Sequence, residues 1–142
     1  MSRVDFYFHI VWATKRRQPL LTPSKEQAVF RCTLKLIHDA GYEALAINGM
    51  PDHVQLVLKT GPKIDMSVLM KSLKGVTSSL VNDMTDHAES FRWQEGYYAK
   101  TITPVQLPTV FKYVQRQKEH HQSGETHPAW EETGEDQDAL AT

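Results

Sequence analysis

The residues from Val4 to Trp12 alternate in character: Val4, Phe6, Phe8, Ile10 and Trp12 fall on one side, and Asp5, Tyr7, His9 and Val11 on the other. A period of two marks a strand with one buried face and one semi-polar face. Such a strand cannot stand alone. It needs neighbours for its backbone and a second layer over its apolar side.

The rest of the chain supplies both. Thr22-Pro23 sets a capping residue and a first-turn proline at the start of a helix. Phe30, Leu34 and Ile37 recur along it at helical spacing, and Gly41 suits a left-handed stop. Residues 42–48 and 53–59 read as two more strands. Gly49-Met50-Pro51-Asp52 joins them, short enough to make them antiparallel neighbours. After Gly61-Pro62, Asp65 can cap a second helix with Leu69, Leu73, Val76 and Leu80 along one side. Gly75 within it costs about 1 kcal/mol relative to Ala, which argues for a close approach there. Residues 97–103 read as a fourth strand, and Leu107 to about Gln122 as a last helix. The order predicts an α+β, ferredoxin-like split βαβ fold: a four-stranded antiparallel sheet with two helices on one face, plus a C-terminal helix. That fold hosts many functions and decides none of them.

Charge separates the chain into two parts. The net charge of −1 comes from 16 Lys+Arg against 17 Asp+Glu among 142 residues. Residues 123–142 contain Glu125, Glu131, Glu132, Glu135, Asp136 and Asp138 and no Lys or Arg, so residues 1–122 carry +5, sixteen basic against eleven acidic. We therefore expect one domain over 1–122 and an acidic tail over 123–142, disordered or loosely docked. A basic body points to a polyanionic partner. The single cysteine, Cys32, excludes an internal disulfide and a thiol-rich metal site. No apolar run approaches the roughly 18 residues of a membrane span, and Met1–Asp5 lacks a signal-peptide pattern, so the expected location is cytoplasmic.

Several side chains can carry chemistry. His53 and Gln55 are two apart on a strand and share a face, the one the first two helices leave uncovered. An imidazole nitrogen and an amide oxygen there can bind a divalent cation; taken alone, so short and common a pattern reads more readily as a solvated polar pair. Tyr113 and Gln117, four apart on the last helix, share a face and suit a nucleophile and a further ligand, or merely the edge of an amphipathic helix. His121 continues that face beside His120 as a rival ligand. His9 reaches the side of His53 if the first and third strands pair in register. Tyr97 and Tyr98 are rival nucleophiles, packing residues or base-stacking groups. Lys15, Arg16 and Arg17 in the first loop, and Lys71 and Lys74 on the second helix, are phosphate contacts or scattered surface charge.

In combination, the segments "FYFHIVWATKRRQPLLT", "GMPDHVQLVL", "SVLMKSLKGVTSSL", "WQEGYYAKTIT" and "VFKYVQRQKEHH" closely resemble the single-tyrosine HUH transposases of bacterial insertion sequences and their REP-associated relatives. The resemblance runs in order over about residues 3–121. It implies DNA transposition by a single-strand endonuclease and strand transferase, acting through a 5′-phosphotyrosine on Tyr113. His53, Gln55 and Gln117 would be the metal ligands, and His9 and His121 outer or rival groups. It also implies DNA hairpins as the recognition element, with Lys15, Arg16, Arg17, Lys71 and Lys74 on phosphates, and a homodimer in which the tyrosine helix, hinged at Thr103-Pro104, can complete a partner's site. One position departs: Gln55 stands where the family has its second histidine, although related replication initiators also use His-hydrophobic-Gln. A neutral set of one imidazole and two amide oxygens favours Mg2+ or Mn2+ over zinc. The same departure motivates a second reading, a catalytically decayed or domesticated hairpin-binding module. A third is a small-ligand or interaction domain of the same fold.

Overall fold

The computed structural model describes residues 3–85 and 90–118. The elements follow the expected order: β1 (Phe6–Ala13), α1 (Pro23–Asp39), β2 (Glu43–Met50), β3 (His53–Thr60), α2 (Met66–Asp83), β4 (Tyr98–Thr101) and α3 (Leu107–Gln115), with a 3-10 turn at Lys15–Arg17. The strands form one antiparallel sheet in the order β2-β3-β1-β4. The helix ends are where their capping residues put them. Thr22 accepts from the amide of Lys25 at 3.5 Å, Asp65 accepts from that of Val68 at 3.1 Å, and Gly41 takes a φ of +85°.

The main core lies between the sheet and α1 and α2. Ile10 and Trp12 of β1 and Val54, Leu56 and Leu58 of β3 meet Val29, Phe30 and Ile37 of α1 and Leu69, Met70, Leu73 and Val81 of α2. The buried stripes are rotated from the expected ones. Leu34 and Val76 are exposed, while Thr33 and Thr77 are buried. Thr77 fits because its hydroxyl donates to the Leu73 carbonyl at 2.6 Å and accepts from the Trp93 indole at 2.9 Å. Gly75 does not mark a close approach within the chain: a Cβ added there meets nothing within 4 Å. Gly49 is the glycine that crowding requires, since a Cβ there would collide with the His53 carbonyl oxygen.

α3 covers the other face of the sheet. Val110 and Val114 pack on Val57, flanked by Leu45 and Ala46 of β2. The face expected to be open is therefore covered over β2 and β3, and His53 and Gln55 are buried with no exposure. Boundaries also move. β4 is shorter than 97–103, because Ile102 already leads into the turn before α3. There Thr103 and Gln106 each accept a hydrogen bond from the other's amide, at 3.2 and 3.1 Å. That reciprocal capping pins the expected hinge. Regular α3 closes at Gln115, with Arg116 leaving helical geometry at ψ 22°. His120, His121 and the acidic tail lie outside the described residues.

Candidate active site

β3 sets the floor of the site. Alternation sends Val54, Leu56 and Leu58 into the main core and turns His53 and Gln55 toward α3. Register then adds His9. β1 pairs with β3 through His9↔Val57 and Val11↔Gln55, and on the shared face His9 Nε2 lies 2.9 Å from Gln55 Oε1. α3 supplies the roof. Tyr113 is 5 % exposed on its inner face, and Gln117, two residues past the end of α3, is fully buried.

Two side chains converge on one imidazole nitrogen. The Gln55 amide nitrogen is 3.4 Å from His53 Nε2, and so is that of Gln117, sixty-four residues further along the chain. The opposite edge of the ring is fixed. His53 Nδ1 lies 2.7 Å from Asp52 Oδ1, so Nδ1 donates to the carboxylate and Nε2 presents its lone pair inward. Arg17 holds Asp52 in turn, Nε to Oδ2 at 3.1 Å. Burial opposes ionisation of Asp52, but the hydrogen bond from His53 and the charge and hydrogen bond of the Arg17 guanidinium outweigh it, bringing its pKa down to about 2. Arg16 and Arg17 both adopt left-handed backbone, φ 57° and 54°. This costs on the order of 1–2 kcal/mol per residue, and the Asp52 contact helps hold it.

A second set of contacts fastens the end of α3. Lys118 Nζ meets Glu26 Oε1 at 2.7 Å, Asn48 Oδ1 at 2.9 Å and the Gly49 carbonyl at 3.2 Å. Asn48 also donates to the Gln115 carbonyl at 2.9 Å. Lys118 thus ties α3 to α1 around the turn between β2 and β3, on either side of Gln117.

The arrangement suits a divalent cation. Ligand atoms of an octahedral site with bonds of about 2.1 Å lie about 3 Å apart, near the observed spacing. The oxygen and nitrogen of an amide are nearly isosteric, so a half-turn of Gln55 or Gln117 presents oxygen toward His53 Nε2. Such a donor set is neutral, with two hard amide oxygens to one imidazole, and leans further toward Mg2+ or Mn2+ than a pair of imidazoles would. Among the described residues there is no cluster of three or more His, Cys, Asp or Glu side chains able to hold a metal.

The basic residues separate. Lys15, Arg16 and Arg17 follow β1 at the end where Ala13 pairs with His53, beside the site. Lys71 is exposed on α2, across the sheet. Lys74 is structural. Its ammonium donates to the Gln94 and Gly96 carbonyls at 2.7 and 2.9 Å and anchors that loop. Of the rival nucleophiles, Tyr97 packs against the main core, while Tyr98 lies on the α3 face edge-to-face with His9. Sequence reasoning missed Asp52, Glu26, Asn48 and Lys118 as supports. Only Asp52, adjacent to His53 in a tight turn, carried a local signal.

Comparisons with known proteins bear on the family and the fold. The family model described as "Transposase IS200 like" matches residues 2–117. The transposase for insertion sequence element IS200 of Salmonella typhimurium is 29 % identical over 129 residues, covering 87 % of this chain and 84 % of that protein. A crystal structure of a putative transposase from Deinococcus radiodurans superposes with a TM-score of 0.65 at 22 % identity, covering 82 % of this chain and 93 % of that one. The structure of a REP-associated tyrosine transposase bound to a REP hairpin superposes with a TM-score of 0.64 at 18 % identity, covering 85 % and 74 %. The last two share the fold.

Proposed function

The chain belongs to the IS200-like transposases, and on that footing we propose that it cuts and rejoins single-stranded DNA, with Tyr113 as nucleophile and His53, Gln55 and Gln117 as metal ligands. The observation that carries this reading is the convergence of Gln55 and Gln117 on the inward nitrogen of His53, with Tyr113 buried on α3 four residues before Gln117.

A divalent cation held there, Mg2+ or Mn2+, would polarise an oxygen of the scissile phosphate. The protein does the rest. Asp52 fixes the tautomer of His53, His9 holds the Gln55 amide, α3 carries Tyr113, and Gln117 follows two residues past the end of that helix. The Tyr113 phenol gives up its proton to solvent as its oxygen attacks phosphorus, and the bond to the 3′ oxygen breaks. A 5′-phosphotyrosine remains, and the released 3′-hydroxyl takes up a proton. Attack by the 3′-hydroxyl of another strand reverses the step and restores the tyrosine. The phosphodiester bond energy is conserved, so no nucleotide cofactor is required.

Lys15, Arg16 and Arg17, beside the site, would contact the phosphates of an entering strand, and Lys71 those of DNA on the other face. The fold shared with a transposase bound to a REP hairpin supports DNA hairpins as the recognition element. A homodimer fits the same reading; here Gln117 reaches His53 of its own chain. The cytoplasm, where the DNA is, is the location this activity requires.

The test is to incubate the protein with Mn2+ or Mg2+ and single strands from the DNA flanking its gene, then run a denaturing gel. A covalent protein–DNA adduct is expected. Hairpin binding with no adduct under either metal would instead identify the non-catalytic module that the departure at Gln55 motivates.

A further inference from the structure

We propose that the cavity beside His9 receives one unpaired base of the strand being cut, next to the scissile phosphate. The inference rests on the single-strand reading above and adds to it a site for sequence preference.

α3 packs over β2 and β3 and leaves the β1–β4 half of that face less covered. A cavity of about 300 Å3 occupies this half. His9, Tyr98 and Lys100 line it from the sheet, and Gln106, Thr109 and Val110 from the start of α3. The register explains the grouping. His9 pairs with Lys100 and Val11 with Tyr98, so Tyr98 and Lys100 project on the same side as His53 and Gln55.

Size and chemistry suit a single base. The volume is at the low end for small-molecule pockets and has no room for a duplex. Tyr98 and His9, edge-to-face at 6.2 Å, line the cavity with the small part of each ring left uncovered, the residues being 9 % and 2 % exposed. Stacking on such surface is available to every base. Val110 adds apolar wall, while Thr109 and Gln106 offer hydrogen bonds to a base edge. Lys100 is exposed and sits where a flanking phosphate can reach it. Position gives the pocket its role. His9 belongs both to its lining and to the Gln55 contact at 2.9 Å, so an occupant is one side chain from the proposed ligands. A base enters such a pocket only when unstacked, which a single strand allows at little cost.

The experiment measures binding by fluorescence anisotropy in EDTA. The probes are single strands from the DNA flanking the gene, either intact or with one abasic position stepped along the strand. Wild-type protein should lose about tenfold in affinity at one abasic position. Thr109→Phe, which fills the cavity from an exposed position, should bind intact strand about tenfold more weakly and show no further loss at that position. Lys100→Glu should weaken all the strands alike. Mn2+ affinity, measured separately, should be unchanged in Thr109→Phe, which checks that the ligand cluster is intact. If no abasic position weakens wild-type binding, or the loss persists in Thr109→Phe, the pocket assignment is overturned while the cleavage reading stands. If wild-type protein binds none of these strands, both fail.

Discussion

His9 Nε2 and Gln55 Oε1 lie 2.9 Å apart across β1 and β3, both side chains buried. In this arrangement the amide oxygen of Gln55 faces His9 and its nitrogen faces His53. To give its oxygen to a cation shared with His53, the amide must turn over. His9 must then accept a hydrogen bond rather than donate one. An imidazole can do either, depending on which nitrogen carries the proton. His9 is thus a positioning residue for the ligand that departs from the family pattern.

His9→Phe keeps a ring in the sheet and removes the Gln55 partner. Mn2+ affinity should fall about tenfold or more, as for other groups that orient a metal ligand. Titration calorimetry measures it. Unchanged affinity in a folded variant would show that Gln55 does not depend on His9.

Gln55→His exchanges a neutral oxygen donor for a second imidazole. Metal preference should move toward zinc relative to magnesium. Competition titrations on the wild type and the variant read the ratio directly. An unaltered ratio would remove Gln55 from the ligand set.

Lys118→Ala severs the links from α3 to Glu26, Asn48 and Gly49. It leaves the Glu26 carboxylate, 8 % exposed, without this cation. Half of the Lys118 side chain is exposed, so solvent screens part of the pair, and a loss of about 1–2 kcal/mol in urea unfolding is expected. Mn2+ affinity should fall with it, because Gln117 precedes the broken contact. Stability lost with metal affinity unchanged would mean that the clasp holds the fold and not the ligand.

Acid should weaken the fold through Asp52. Its pKa is lowered to about 2, below the unfolded value near 3.9, so its contribution is complete above about pH 4 and disappears as pH falls toward 2. The full shift corresponds to roughly 2–3 kcal/mol as an upper figure. Asp52→Asn should flatten the unfolding free energy over that interval, measured in EDTA. An equally steep fall in the variant would place the acid-sensitive group elsewhere.

Much of the fold was legible because local rules governed it. The capping side chains of Thr22 and Asp65 and the left-handed Gly41 act within a few residues of where they stand. The helix faces were less legible. Thr77 is buried where Val76 looked better suited, because its hydroxyl finds partners in Leu73 and Trp93 and hydropathy does not record partners. The pairing of His53 with Gln55 followed from strand alternation alone. Their burial did not, since it depends on α3 crossing to the far face of the sheet. The Glu26–Lys118 and Asn48–Gln115 contacts join residues far apart in sequence, and no local pattern announces them.

The central claim is that Tyr113 is the nucleophile of a metal-dependent single-strand cleavage. The direct measurement is mass spectrometry of the trapped adduct after digestion, with Tyr113→Phe treated in parallel. The expected result is a nucleotide attached through a 5′-phosphate to Tyr113, formed with Mn2+ or Mg2+, lost in EDTA and absent from the variant. An adduct on another residue, or one that persists in Tyr113→Phe, would contradict it.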